Sequence, residues 1–146
     1  MTTLPITLNA AGVAVLINIW LGVRVSQLRV RNKVPIGEGG DQRVIARMRA
    51  QANFVEYTPF FLILLGLIEL SRGSQQWLWW VTIVYFLGRL VHPFGLDRPA
   101  PNPLRMAGIV ITWLVLLGLA AYALAIPYLD RAREPAVHYA AQSAPL

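Results

Sequence analysis

Arg49, Asn53, Glu56 and Tyr57 place a guanidinium, an amide, a carboxylate and a phenol at positions i, i+4, i+7 and i+8. A helix advances about 100° per residue, so all four fall on one face. The stripe runs directly into Phe60-Phe61-Leu62-Ile63-Leu64-Leu65. Ionisable groups entering a membrane span are expensive, face a bundle interior or wet cavity, and count as functional by default. A guanidinium stays charged and binds carboxylates bidentately, while the amide and phenol add directional hydrogen bonds. Glu56 can pair with Arg89 or a neighbouring arginine, or accept from the ammonium of a ligand. Arg89 and Arg105 flank later apolar segments at the same end as Arg49, and His92 lies one turn after Arg89. Such a set suits a small zwitterionic anion with amide bonds, such as a short peptide.

Plainer readings stand beside this one. Glu56 with one arginine is also a helix-orienting ion pair, and the first-loop arginines also serve topology and anionic lipid attraction. His92, followed by Pro93, reads more readily as a capped helix end than as a catalyst, and Asn18 as a helix–helix hydrogen bond. No His/Cys/carboxylate cluster has metal-ligand spacing, and neither a Gly-rich phosphate loop nor a Ser–His–Asp set stands out. The chain has no cysteine, so it supplies neither a disulfide nor a thiolate of its own. Basic residues lack interleaved aromatics on a soluble face, which argues against nucleic acid.

The elements that must hold the stripe are membrane helices. Hydrophobic residues make up 56% of 146 and charged ones 14%, with mean hydropathy +0.52; a soluble domain carries about 25% charge. Four apolar segments, 6–23, 43–70, 77–96 and 106–129, predict an all-α membrane protein, a four-transmembrane-helix bundle occupying 1–130. Residues 131–146, rich in Ala and Pro, are expected to form a flexible tail. The long apolar start with no preceding Lys or Arg reads as a retained anchor. The first loop, 24–42, is strongly basic before Gly37-Glu38-Gly39-Gly40-Asp41; the second, 71–76, is tight; the third, 97–103, is stiffened by Pro99, Pro101 and Pro103. The positive-inside rule puts loops one and three in the cytoplasm and both termini on the opposite side.

Arg49-x-Gln51-x-Asn53-x-x-Glu56-Tyr57-x-Pro59 resembles the second-helix motif of the MAPEG family, the membrane-associated proteins in eicosanoid and glutathione metabolism. The likeness extends along the chain through four helices, a basic first loop, a short second turn and Leu104-Arg105 before helix four. It implies a homotrimer binding glutathione as co-substrate between subunits near the cytoplasmic face, and an integral membrane glutathione transferase or peroxidase acting on lipophilic electrophiles or lipid hydroperoxides. It also implies that Arg49, Gln51, Asn53, Glu56 and Tyr57 hold glutathione, although Gln51 points away from the stripe on a helical wheel. Arg29 or Arg31 would fill the place of the family's helix-one arginine, and Arg105, with Arg98 as competitor, that of the thiolate-activating arginine. Eukaryotic family members carry tyrosines along helix three that help hold glutathione; here Tyr85-Phe86-Leu87-Gly88-Arg89-Leu90-Val91-His92 offers Arg89 and His92 in their place. That departure supports the alternative, a non-catalytic membrane protein keeping the scaffold for ligand binding or partner assembly.

Overall fold

The computed structural model describes residues 3–99 and 101–142, with 132–142 by backbone alone. All regular structure among them is helical: α1 (Pro5–Arg31), α2 (Gln42–Arg72), α3 (Gln76–Leu96) and α4 (Pro103–Gln142). Pro5 opens α1, where its missing N–H costs nothing. The buried residues Ile6, Ala10, Ala14, Ile17, Leu21, Val25 and Leu28 recur every three or four positions and form one stripe. On α2 the matching stripe is Phe54, Thr58, Phe61, Leu65 and Ile68. Phe61 lies flat on Tyr85 of α3 at 3.8 Å between ring centres, and the Tyr85 hydroxyl shares a hydrogen bond with Thr58 at 3.1 Å. The outer faces expose Leu8, Leu16, Phe60, Leu117 and Leu124. Against lipid such exposure costs little, so packing and hydrogen bonds hold the helices together.

Three helices, α1, α2 and α4, are long and apolar enough to cross a membrane. The segment 77–96, expected as a span of equal standing, is not apolar enough. It forms α3, whose 21 residues reach about 32 Å, but Arg89, His92 and the polar-edged Trp77, Trp79 and Trp80 dilute it. Arg89 and His92 turn inward, only 1% and 4% exposed.

Consecutive helices run antiparallel. At one end, Glu69 near the close of α2 meets the start of α1. At the other, Asp97 after α3 binds Arg24 of α1 and sits 3.9 Å from Arg47 Nε of α2, whose Nη1 donates to the Arg24 carbonyl at 2.7 Å. Arg24 lies over both Trp20 and Phe94, 4.9 and 5.5 Å from their ring centres. Gly73, at φ 76°, turns the chain from α2 into α3.

Several boundaries differ from the sequence reading. α1 continues to Arg31, so Arg24, Arg29 and Arg31 are helical and the first loop shrinks to 32–41. Asp41, read as part of a flexible acidic turn, is the N-cap of α2 and accepts from the Arg43 N–H at 2.8 Å. α3 runs through Pro93 to Leu96, so His92 does not cap a helix end. Asn18 makes no helix–helix bond through its oxygen: Oδ1 is buried without a partner. The fourth helix continues past Leu129 to Gln142; residues 143–146 of the expected tail lie outside the described residues.

Close approach of α3 and α4 rests on glycine. A Cβ on Gly108 would sit 2.7 Å from His92 Cβ and 2.8 Å from the Gly88 carbonyl, and one on Gly95 would overlap the Arg105 backbone. Small residues thereby let the two backbones meet, as in many membrane interfaces.

Candidate functional site

A cleft of about 520 Å³ opens between α2 and the start of α4, floored by the end of α3. Its lining includes Arg49, Asn53, Glu56 and Tyr57 from α2, His92 from α3, and Arg105 from α4. Helical spacing explains the first four, which share one face; the glycine-mediated contact of α3 with α4 explains the other two. The volume falls within the roughly 300–1,000 Å³ of small-molecule sites. Apolar groups close one flank: Met106, Ile109, Val110 and Trp113.

Hydrogen bonds set what each group offers the cleft. Arg89 lies behind it, donating from Nη1 to Asn53 Oδ1 at 2.9 Å and Thr112 Oγ1 at 3.3 Å, with the Phe54 and Tyr57 rings 5.5 and 5.9 Å from its guanidinium carbon. Since the Asn53 oxygen is engaged inward, its amide N–H groups are what remain for a ligand. Trp113 Nε1 donates to the Tyr57 hydroxyl at 3.1 Å, leaving the phenolic proton free to donate. The His92 ring bonds the Arg105 carbonyl through Nδ1 at 3.1 Å.

Charge in the cleft is unspent. Among the described residues, ion pairs join Arg24 and Arg47 to Asp97, Arg43 to Asp41 and Arg72 to Asp130. None includes Arg49, Glu56, Arg89 or Arg105. Of the roles open to Glu56, pairing with Arg89 is absent: Arg89 turns to the neutral oxygens of Asn53 and Thr112, and Glu56 stays exposed on the cleft wall.

Other predicted residues lie elsewhere. Gln51 faces α1, its side-chain amide nitrogen 3.2 Å from where a Cβ on Gly22 would stand. Arg29 packs on Met48 and lines a separate basic hollow with Ser26 and Lys33. Arg31 is exposed at the end of α1, and Arg98 lies in the third loop; neither lines the cleft. Of the two candidate activating arginines, only Arg105 reaches it. Thr112 and Trp113 were missed because 106–129 reads as a featureless apolar span. Their one signal is spacing: both follow Arg105 by about two turns, on its face.

Comparison with known proteins adds the lineage. The sequence profile of the MAPEG family matches residues 7–125. The chain belongs to the MAPEG family. It is also 32% identical over 94 residues to the inner membrane protein YecN of Escherichia coli strain K12, covering 64% of this chain and 70% of that protein, and matches YecN of strain O6:H1 equally. This MAPEG protein is thus an integral membrane protein of several apolar helices.

Proposed function

We propose that this MAPEG protein binds glutathione in the α2–α4 cleft and activates its thiol for attack on lipophilic electrophiles. One observation carries the reading: Arg49, Asn53, Glu56, Tyr57 and Arg105 line a single cleft while their charges find no ion-pair partner among the described residues. Glutathione presents two carboxylates, an ammonium and two amides, which is the complement of that set. Arg49 and the Asn53 amide take a carboxylate, Glu56 takes the ammonium, and Arg105 stands by the sulfur. A thiol of pKa about 8.5 is mostly protonated at neutral pH; a guanidinium beside it favours the thiolate. The thiolate then attacks an electrophile arriving over Met106, Val110 and Trp113 from the lipid side.

The working unit is a homotrimer in this proposal. Glu56 and Arg49 are exposed on a single chain, and a central charge facing lipid costs roughly 2.5–3.5 kcal/mol on insertion scales. α3 crosses the bilayer as a fourth span shielded by its neighbours. Arg29 or Arg31 then serves the cleft of an adjacent subunit. Loops one and three face the cytoplasm, since most basic residues gather at that end and only Arg72, Arg131 and Arg133 at the other. Cysteines at Gly39 and Ser74 are expected to label from opposite sides, against a background free of native cysteine.

The deciding experiment is a glutathione-dependent thermal shift on detergent-solubilised protein, because binding to the native state raises stability once ligand exceeds its dissociation constant. Mass measurement in mild detergent accompanies it. No shift up to millimolar glutathione refutes the reading, and a stable monomer refutes the trimer. The second reading, a binding scaffold without turnover, draws on one feature: Tyr85, the tyrosine of the α3 stretch, is buried against Phe61 and Thr58 and offers the cleft no hydroxyl. A thermal shift without thiolate formation favours that reading.

A further inference from the structure

His92 has a fixed tautomer. A carbonyl oxygen only accepts hydrogen bonds, so the contact between His92 Nδ1 and the Arg105 carbonyl at 3.1 Å requires the proton on Nδ1. Nε2 of the neutral ring then carries a lone pair. Among the described residues that nitrogen has no hydrogen-bond partner, and the residue lines the cleft although it is 96% buried. The ring is held hard. Its Cβ abuts Gly108, where any larger residue would collide, and α3 continues a full turn beyond it.

The cleft otherwise offers donors and cations. Arg49, the free Asn53 amide and the Tyr57 hydroxyl come from α2, Arg105 from α4, and Arg89 lies one turn before His92 on its own helix. A thiol losing its proton among them needs an acceptor. Glu56, the one carboxylate in the lining, is matched to the ligand ammonium in the proposal above. We propose that His92 Nε2 is the base that receives the thiol proton in this cleft. This rests on the glutathione reading and adds to it a proton path.

The step balances. The S–H bond breaks, the proton passes to Nε2, and the electron pair stays on sulfur beside Arg105. With an aryl chloride, sulfur forms a bond to the ring carbon and chloride leaves with its bonding pair. The imidazolium then returns its proton to solvent, and charge is restored. Arg105 takes part twice, since its side chain faces the thiolate and its carbonyl sets the tautomer of the base.

The test uses full-length protein in detergent, with glutathione and an aryl chloride as probes. Thiolate absorbance is followed by stopped flow in wild type, His92→Gln and His92→Ala. His92→Gln keeps an amide donor for the Arg105 carbonyl and so preserves folding. It is expected to bind glutathione within about threefold of wild type while thiolate formation slows roughly 100-fold, the scale of general-base catalysis. Free imidazole is expected to restore the rate in His92→Ala, an effect that a purely structural histidine would not produce. Thiolate formation at the wild-type rate in His92→Gln overturns the assignment, as does His92→Ala that binds glutathione but ignores imidazole. Wild type that binds no glutathione overturns the functional reading itself, and this step with it.

Discussion

Glu56 and Glu69 belong to the same helix and differ in almost every physical respect. Glu69 is 1% exposed and fully engaged. Its oxygens accept from the backbone N–H of Ile6 at 3.0 Å and of Thr7 at 2.8 Å, and from the hydroxyls of Thr7 and Ser74, both at 2.7 Å. It thus caps the N-terminus of α1 from another helix, where orphan donors and the helix dipole favour a carboxylate. Glu56 is exposed on the cleft with neither an ion pair nor a hydrogen bond among the described residues. A saturated carboxylate stabilises the fold; an unsaturated one at a cleft is available to something else. The same contrast divides the ends of the bundle, with Arg72 paired to Asp130 at 2.8 Å near Glu69, and Arg49 and Arg105 near Glu56 without an ion pair among the described residues.

Removing Glu69 is the largest expected insult. Glu69→Ala leaves two backbone donors, one of them buried, and two hydroxyls without their acceptor, a loss of about 3 kcal/mol or more. Thermal unfolding in detergent measures it, and a drop no greater than that of an exposed substitution would erase the distinction between the two glutamates. Arg105→Ala comes next and strikes function instead. Turnover and bound thiolate are expected to fall on the order of 100-fold, about 2.7 kcal/mol, with glutathione binding largely kept. Arg105→Lys restores only part, lacking the planar fork, and Arg98→Ala changes neither. If Arg98→Ala loses both while Arg105→Ala keeps them, the activating arginine lies in the third loop.

Gly108→Ala probes how the two regions are joined. The added methyl meets the His92 Cβ and the Gly88 carbonyl, forcing α3 and α4 apart at a cost of roughly 1–3 kcal/mol. Activity should fall further than stability, because the same displacement breaks the bond between His92 and Arg105. Glu56→Ala has the opposite profile. Its unfolding temperature without ligand stays near wild type, since surface substitutions are usually worth within about 0.5 kcal/mol. Its glutathione affinity falls about tenfold, about 1.4 kcal/mol. Calorimetry beside thermal unfolding separates the two, and a Glu56→Ala protein that unfolds early yet binds normally would make Glu56 another Glu69.

What the sequence made legible follows the same division. Arg49, Asn53, Glu56 and Tyr57 were readable because a helix has a fixed period, so four residues of one segment declare their common face. Their meeting with His92 and Arg105 was readable only as an expectation, since it depends on which helices touch. Gly88, Gly95 and Gly108 decide that contact, yet in sequence they look like ordinary small residues in apolar runs. Glu69 was missed altogether: all its partners but Ser74 are more than 60 residues away at the start of α1, and nothing local marks a carboxylate as another helix's cap. Gln51, Arg29 and Arg31 fail to reach this chain's cleft because Gln51 faces α1, Arg29 packs on Met48 of α2 and Arg31 turns outward, a matter of rotation that motif matching does not encode.

Asp41 gives the smallest effect and a test of a cap against a titrating group. It caps α2 at the end carrying the cleft, accepting from the Arg43 N–H at 2.8 Å and from the Asn32 amide, and pairing with the Arg43 guanidinium at 3.1 Å. Hydrogen bonds from Arg43, side chain first and backbone second, hold its carboxyl below the usual carboxylate range. The native state therefore binds this proton less readily than the unfolded chain. Its contribution to stability is present above the unfolded carboxylate value, near 4, and is lost as pH falls through the lowered native one. Asp41 is half-buried but its partner Arg43 is exposed, so salt screens the charged part. Asp41→Asn keeps a good N-cap without a titrating group. Wild type should hold a small thermal advantage over Asp41→Asn at neutral pH, and that advantage should shrink to nothing below about pH 4 and at high salt. An advantage that persists in acid would mean that cap geometry, and not charge, distinguishes Asp41.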